Sequence, residues 1–308
     1  MSDESTDGPT ETTGAARTEE ASAVKSTIAT LLVGAAIALS ATAVATGADA
    51  KEWKKVRIAT EGAYMPWNGT DSSGKLVGFE VDLMKDLCTR MKVECELVAQ
   101  DWDGIIPALQ QGKYDAIMAG MSATDERRKV IQFAGPYANE PSAFAAMKGS
   151  PLLTIAADPA LVDMKELTAD ERTVIERLAS QLKGKTVGAQ VSTIQASFVE
   201  KYMPGVTLRT YDKVDNIGLD LVAGRIDAMF ADRSAIGGLQ KEGATKDITV
   251  FGTQYRGGIL GDGVAVGLRK ADKDLKTLFE KAIVEAHKAG VTGKLSTQWF
   301  GYDIAVTP

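Results

Sequence analysis

Residues 103–119 (DGIIPALQQGKYDAIMA) and 215–231 (DNIGLDLVAGRIDAMFA) spell one pattern twice, offset by 112 positions. They agree at Asp103/Asp215, Ile105/Ile217, Leu109/Leu221, Gly112/Gly224, Asp115/Asp227, Ala116/Ala228 and Ala119/Ala231, and Lys113 answers Arg225. Each window reads as a helix, a glycine stop and a short buried strand. A chain that builds this unit twice is expected to hold two similar α/β lobes with a cleft between them. The residues just past each strand, Gly120-Met121-Ser122 and Asp232-Arg233, then face that cleft, because ligands of open α/β sheets sit at the carboxyl ends of strands. Two copies are too few for a solenoid.

A length of 308 residues is enough for two domains. The formal charge of −6 is unevenly placed. Residues 1–50 hold seven acids and two bases, so 34 acids and 33 bases follow them. The folded part is nearly neutral, which gives no electrostatic footprint for nucleic acid or an anionic membrane. Residues 28–45 are an apolar, small-residue run with Lys25 before it and Ala48-Asp49-Ala50 after it. This reads as a secretory signal cleaved after Ala50, and hence as periplasmic export. The acidic segment 1–23 does not suit the start of a signal, and Val24 is expected to mark an alternative start. No cysteine follows the apolar run, so a lipid-anchored cysteine is excluded.

The two cysteines are Cys88 and Cys95. Export permits a disulfide, and the loop between them is short enough for bridging. From the residues alone, two reduced thiols or a metal pair stand as alternatives.

Strands are expected at 56–60, 96–99, 116–119, 186–190 and 207–210. A helix over 79–91 buries Val81, Leu83, Met84, Leu87, Cys88 and Met91 on one face. Thr124 is placed to cap a short helix, and 136–141 reads as crossover backbone. Residues 151–183 have the texture of an inserted helical flap. Gly261-Asp262-Gly263 followed by Gly267 is not a phosphate loop, because Val264-Ala-Val-Gly-Leu268 alternates as a strand where a helix N-terminus is needed. The sole histidine, His287, falls in a Glu-Ala-His-Lys-Ala helical run and reads as solvated. No cluster of metal ligands and no histidine-based nucleophilic device is visible, so no metal, cofactor or catalytic residue is assigned.

Gly78-Phe-Glu-Val-Asp-Leu83, followed by Leu87-Cys88 and Met91, resembles the signature of the bacterial extracellular solute-binding proteins for polar amino acids (family 3). The resemblance runs over about residues 54–303 and includes Gln298-Trp-Phe-Gly301. It is strongest toward the lysine/arginine/ornithine- and histidine-binding proteins and the octopine/nopaline branch. It implies a two-lobed periplasmic-binding-protein-like α/β fold (type II), each lobe a mixed sheet flanked by helices, joined by two hinge strands. Lobe 1 is expected over 51–141 and 258–308, lobe 2 over 142–257, and 1–50 as extension and signal. The Cys88–Cys95 pair matches the disulfide of the lysine/arginine/ornithine group.

The same resemblance implies a ligand set. Arg127 falls where the family binds the α-carboxylate, a role that suits the rigid guanidinium fork. Read without the family, it is a surface arginine in an Asp-Glu-Arg-Arg-Lys run. Ser122, the Gly120 carbonyl and the backbone N–H of Thr193 add contacts, with Gln195 beside them. Asp232 falls where the family pairs with the α-ammonium. Tyr64 and Trp102 are expected to sandwich the side chain, and Glu61 and Gln190 to meet its head group, Glu61 favouring a cation. Three departures bear on ligand choice: Ala119-Gly120 stands where basic-amino-acid binders carry Ser-Ser, Ser192 replaces the usual glycine, and Ile194 replaces a small polar residue.

These readings imply a monomeric receptor that delivers a basic amino acid to an ABC permease. An opine is the nearest alternative ligand, although Asp232 would repel an opine's second carboxylate. A periplasmic enzyme of the same fold, such as a cyclohexadienyl dehydratase, is the alternative of another class. A sensor domain is the third, and no output domain is attached.

Overall fold

The computed structural model describes residues 51–306 apart from Glu242. The expected signal, its cleavage site and the acidic segment lie outside the described residues. In chain order the elements are β1 (Lys55–Thr60), β2 (Ala63–Tyr64), β3 (Asn68–Thr70), β4 (Leu76–Val77), α1 (Phe79–Met91), β5 (Glu94–Ala99), α2 (Ile105–Gln110), β6 (Ala116–Ile117) and α3 (Asp125–Val130). They continue with β7 (Gln132–Ala138), β8 (Ser142–Met147), β9 (Leu161–Asp163), α4 (Ala169–Gln181), β10 (Thr186–Gln190), α5 (Ile194–Tyr202), β11 (Thr207–Tyr211), α6 (Val214–Val222) and β12 (Ala228–Asp232). The last are α7 (Arg233–Leu239), β13 (Ile248–Arg256), β14 (Val264–Leu268), α8 (Lys273–Lys288) and α9 (Val291–Phe300).

Strands β2-β3-β4 form a small antiparallel sheet; of the two large sheets, one has the order β5-β1-β6-β14-β7 and the other β11-β10-β12-β8-β13-β9. In both, three parallel strands from consecutive β-α-β units meet an antiparallel strand: β14 beside β6, and β8 beside β12. The chain passes between the sheets twice, from β7 to β8 and from β13 to β14. These passages make the molecule two-lobed. The sequence repeat maps onto α2–β6 in one lobe and α6–β12 in the other. Its glycines close both helices in the left-handed region, Gly112 at φ 76° and Gly224 at φ 67°, a conformation open to glycine without steric cost.

Helix α1 buries Phe79, Val81, Leu83, Met84, Leu87, Cys88 and Met91. Each large apolar side chain so buried contributes roughly 1.5–3 kcal/mol. Gly78 before it has φ 132°, and a Cβ there would lie 2.5 Å from the Trp67 carbonyl oxygen, so the signature glycine is sterically required. The two signature segments meet: Trp299 Nε1 donates to Asp82 Oδ2 at 3.0 Å, and the Phe300 ring packs 5.1 Å from Phe79. Cys88 and Cys95 form a disulfide across the turn from α1 to β5, with Cα atoms 6.2 Å apart.

The inserted segment differs from a purely helical flap. Helix α4 is present, opened by a Thr168/Glu171 capping box, but β9 adds a parallel edge strand against β13. Only three residues long, β9 carries too little alternation to be read from sequence. Strand β6 is also shorter than expected: the Met118 N–H still donates to the Ala59 carbonyl at 2.9 Å, but Ala119 and Gly120 bend out of strand geometry. His287 is half-buried on α8 rather than fully solvated. Among the described residues no helix is long and apolar enough to cross a membrane.

Candidate functional site

The carboxyl ends of the parallel strands of both sheets converge on one cavity. From the first lobe, Glu61 follows β1 directly, Tyr64 ends β2, and Trp102 follows β5. Gly120 and Ser122 lie in the turn after β6, and Arg127 sits on α3. From the second lobe, Gln190 ends β10, Thr193 and Gln195 open α5, and Asp232 ends β12. All ten residues named from the sequence line this cavity. Ala119 and Ile194, noted there as departures, line it too.

The turn at Gly120 is held from behind. Its N–H donates to the Glu80 carboxylate at 2.8 and 3.0 Å. Glu80 is fully buried and also accepts from Asn68 Nδ2 at 2.7 Å and from the Tyr137 hydroxyl. Burial raises the Glu80 pKa against these hydrogen bonds. Thus the Glu of the signature, which reads from sequence only as a first-turn acid of α1, anchors the cavity floor. Gly120 itself has φ 62°, and a Cβ there would lie 3.2 Å from the Tyr64 ring. The glycine brings that ring against the turn, where any side chain would crowd it.

Asp232 and Arg127 stand in the cavity from opposite lobes. Asp232 accepts from the Tyr64 hydroxyl at 2.8 Å, Gln195 Nε2 at 2.7 Å and Ser142 Oγ at 3.3 Å. Burial pushes its carboxyl up to about 6, against these hydrogen bonds and the Arg127 charge. Ser142 has no sequence signal; it reaches the site because β8 lies antiparallel to β12 and pairs it with Asp232. The Arg127 side chain donates to the Ser122 carbonyl at 2.9 Å and lies 5.0 Å over the Trp102 ring. Burial lowers its pKa to about 10, with Asp232 opposing, so it stays cationic at neutral pH. Thr124, as foreseen, caps α3 by accepting from the Arg127 N–H.

At another part of the cavity Gln190 Nε2 donates to Glu61 Oε1 at 2.7 Å and to the Asp212 carbonyl at 2.9 Å. Burial pushes Glu61 up to about 7, with the Gln190 hydrogen bond opposing. Thr193 caps α5 and donates its hydroxyl to the Gln190 carbonyl at 2.7 Å. Ser192 sits at φ 58°, which explains why glycine suits this position, and its hydroxyl donates across the cleft to Asp103 Oδ1 at 3.0 Å. The arrangement offers a cation, two separated carboxyls and two aromatic faces. Such a set can hold a zwitterion with a charged side chain.

The family model of the bacterial extracellular solute-binding proteins, family 3, matches residues 56–302. An octopine-binding periplasmic protein of Rhizobium meliloti is 39% identical over 280 residues, covering 85% of this chain and 95% of that protein. A lysine/arginine/ornithine-binding periplasmic protein of Escherichia coli is 34% identical over 253 residues, covering 81% of this chain and 88% of that protein. The crystal structure of a periplasmic His/Glu/Gln/Arg/opine family-binding protein from Silicibacter pomeroyi in complex with lysine matches with a TM-score of 0.65 at 34% identity, covering 82% of this chain and 99% of that one.

Proposed function

Because the chain belongs to the bacterial extracellular solute-binding proteins, family 3, we propose that it is the receptor of an ABC importer and captures a basic amino acid between its lobes. One observation carries the ligand class: one cavity is lined by the Arg127 guanidinium, the Asp232 carboxyl and a further carboxyl, Glu61, which is bonded to Gln190. Arg127 and the Thr193 N–H take the α-carboxylate, the latter at the positive end of α5. Asp232 takes the α-ammonium, with Ser122 and Gln195 beside the pair. Tyr64 and Trp102 flank the aliphatic stem, and Glu61 with Gln190 receives a guanidinium or ammonium head. Lobe 1 comprises 51–141 and 258–308, lobe 2 comprises 142–257, and the passages near 140 and 257–263 are the hinge. Ligand stabilises the closed form by its differential affinity for it. The chain acts as a monomer in the periplasm, exported by a signal cleaved after Ala50, and hands its ligand to a membrane permease without turning it over.

An opine is the second reading, favoured by the 39% identity to the octopine-binding relative. Against it stands Asp232, whose charge would face the second carboxylate of an opine. A thermal-shift screen with L-arginine, L-ornithine, L-lysine, L-histidine, octopine, L-glutamine, L-leucine and L-glutamate separates these readings, since bound ligand raises Tm by mass action. The largest shift is expected from a basic amino acid. A largest shift from octopine selects the second reading, and one from leucine or glutamate rejects both.

A further inference from the structure

Helix α7 follows directly on Asp232, yet none of its residues lines the cavity. One of its faces nevertheless rests on the opposite lobe. A Cβ built on Gly238 would lie 2.6 Å from the Met65 carbonyl oxygen and 3.5 Å from Pro66 Cδ, both in the turn from β2 to β3. Four residues earlier, and so on the same face, Ser234 Oγ accepts from Trp67 Nε1 of that same turn at 2.8 Å. Both of these residues are buried. The Ser234 hydroxyl proton is committed to Glu140, which lies on the passage from β7 to β8 and also accepts from the Tyr302 hydroxyl. Glu140 thereby turns the oxygen lone pairs of Ser234 toward Trp67. The neighbouring Gly237 has different surroundings. A Cβ there would meet only Arg233 Nη1, at 3.6 Å, within its own helix.

We propose that the Ser234/Gly238 face of α7 is the closure stop of the clamp, setting how far the lobes close and how slowly ligand leaves without touching it. This rests on the reading above, that the lobes close around a ligand. The side chains of the cavity reach the ligand from both lobes, so their hydrogen bonds depend on the final separation to within a few tenths of an ångström. Gly238 lets helix and turn approach to that separation. A methyl group there meets a backbone carbonyl, which has no rotamer by which to yield. In the open form the same methyl faces water, and alanine is the better helix former, so the fold itself loses nothing. Ser234, held by Glu140, is a positioning residue that favours the closed form through the Trp67 hydrogen bond.

The test compares wild type, Gly237→Ala, Gly238→Ala and Ser234→Ala by calorimetry and stopped-flow release of L-arginine. Small-angle X-ray scattering at saturating ligand reads closure. Gly238→Ala is expected to weaken binding at least tenfold, mainly through faster release, with a larger radius of gyration. Its ligand-free Tm should equal or exceed that of wild type. Gly237→Ala should bind within twofold of wild type, and Ser234→Ala should release ligand three- to tenfold faster. Equal affinity for Gly238→Ala and Gly237→Ala overturns the inference, as does a loss in Gly238→Ala matched by a lower ligand-free Tm. Failure of wild type to bind L-arginine would instead count against the ligand reading. The four proteins are then compared with whichever of octopine, L-histidine or L-lysine raises the wild-type Tm, and the same two outcomes decide.

Discussion

Asp115 and Asp227, 112 residues apart, hold the same post in two different sheets. Asp115 donates its N–H to the Arg57 carbonyl at 2.8 Å and accepts the Arg57 N–H on Oδ2 at 3.0 Å. Asp227 does the same with Thr186, at 2.9 and 2.8 Å. Each carboxylate thus locks the entry to the third parallel strand of its sheet onto the first, β6 onto β1 and β12 onto β10. The repeat therefore preserves this aspartate for backbone satisfaction rather than for ligand chemistry.

Asp115 is the more deeply placed and also pairs with the side chains of Arg57 and Arg269. Asp115→Ala should cost about 3 kcal/mol and Asp227→Ala about 1 kcal/mol in urea unfolding, since removing one partner strands buried groups. Burial alone would raise the Asp115 pKa, but the hydrogen bonds from Arg57 and Arg269 hold it below its ordinary value of 3.8. A depressed folded-state pKa stabilises above 3.8, and that share is lost as pH falls through the folded value. Equal costs at the two sites would reverse this ranking.

Arg127→Ala and Asp232→Ala should each weaken binding of any amino-acid ligand by well over tenfold. Leaving a buried ligand charge unpaired costs about 2–5 kcal/mol in comparable interfaces. Circular dichroism and ligand-free Tm should show both variants folded. Unchanged affinity by calorimetry in either one removes that residue from the site.

Glu61 makes ligand binding proton-linked. With its pKa near 7, the carboxyl is partly protonated at neutral pH, whereas a cationic head group requires it ionised. Affinity for L-arginine should fall as pH drops from 8 to 6, with proton release on binding, read from the buffer dependence of the calorimetric enthalpy. Glu61→Gln should reduce this dependence to the part carried by Asp232, whose carboxyl titrates at about 6, and weaken L-arginine more than L-glutamine. The stability of the ligand-free protein runs the other way. A folded-state pKa raised above the ordinary 4.5 contributes stability that is lost as pH rises through about 7. Ligand-free Tm should therefore be higher at pH 5.5 than at pH 8, and Glu61→Gln should lessen that slope, the remainder coming from the buried carboxyls of Asp232 and Glu140, pushed up to about 6 and about 8.

The Cys88–Cys95 bridge closes a short loop, which stabilises by roughly 2–3 kcal/mol in the chain-entropy model. Thiol labelling of denatured, unreduced protein should find no free cysteine. Cys88→Ala/Cys95→Ala should fold with a lower urea midpoint and unaltered ligand preference, because the bridge does not line the cavity. A shift in the ranking of ligands would contradict that separation.

Intact mass of protein recovered from the periplasm should begin at Lys51. A mature product that keeps residues 1–23 would reject the signal reading.

Some of this was written in the chain itself. The 112-residue repeat, with its glycine stops and buried alternation, specifies two βα units, because helix period, strand period and left-handed glycines are local properties. The family signature carried the ten cavity residues by resemblance. The two signature segments pack on each other, Trp299 bonding Asp82 and the Phe300 ring lying against Trp67 and Phe79. What local pattern could not supply was which distant backbone each side chain would serve. Glu80 reads as a helix-start acid, yet it holds Gly120 forty residues away; Ser142 reads as nothing, yet antiparallel pairing sets it on Asp232. Glycines 237 and 238 are indistinguishable in sequence, and only the approach of the opposite lobe separates them. Charge states followed the same division: residue type gave the sign, but burial against a partner from another lobe moved Glu61 and Asp232 toward neutral pH. Local sequence dictates torsions and periodicity, whereas contacts across a cleft, and the desolvation that comes with them, exist only once the two sheets face each other.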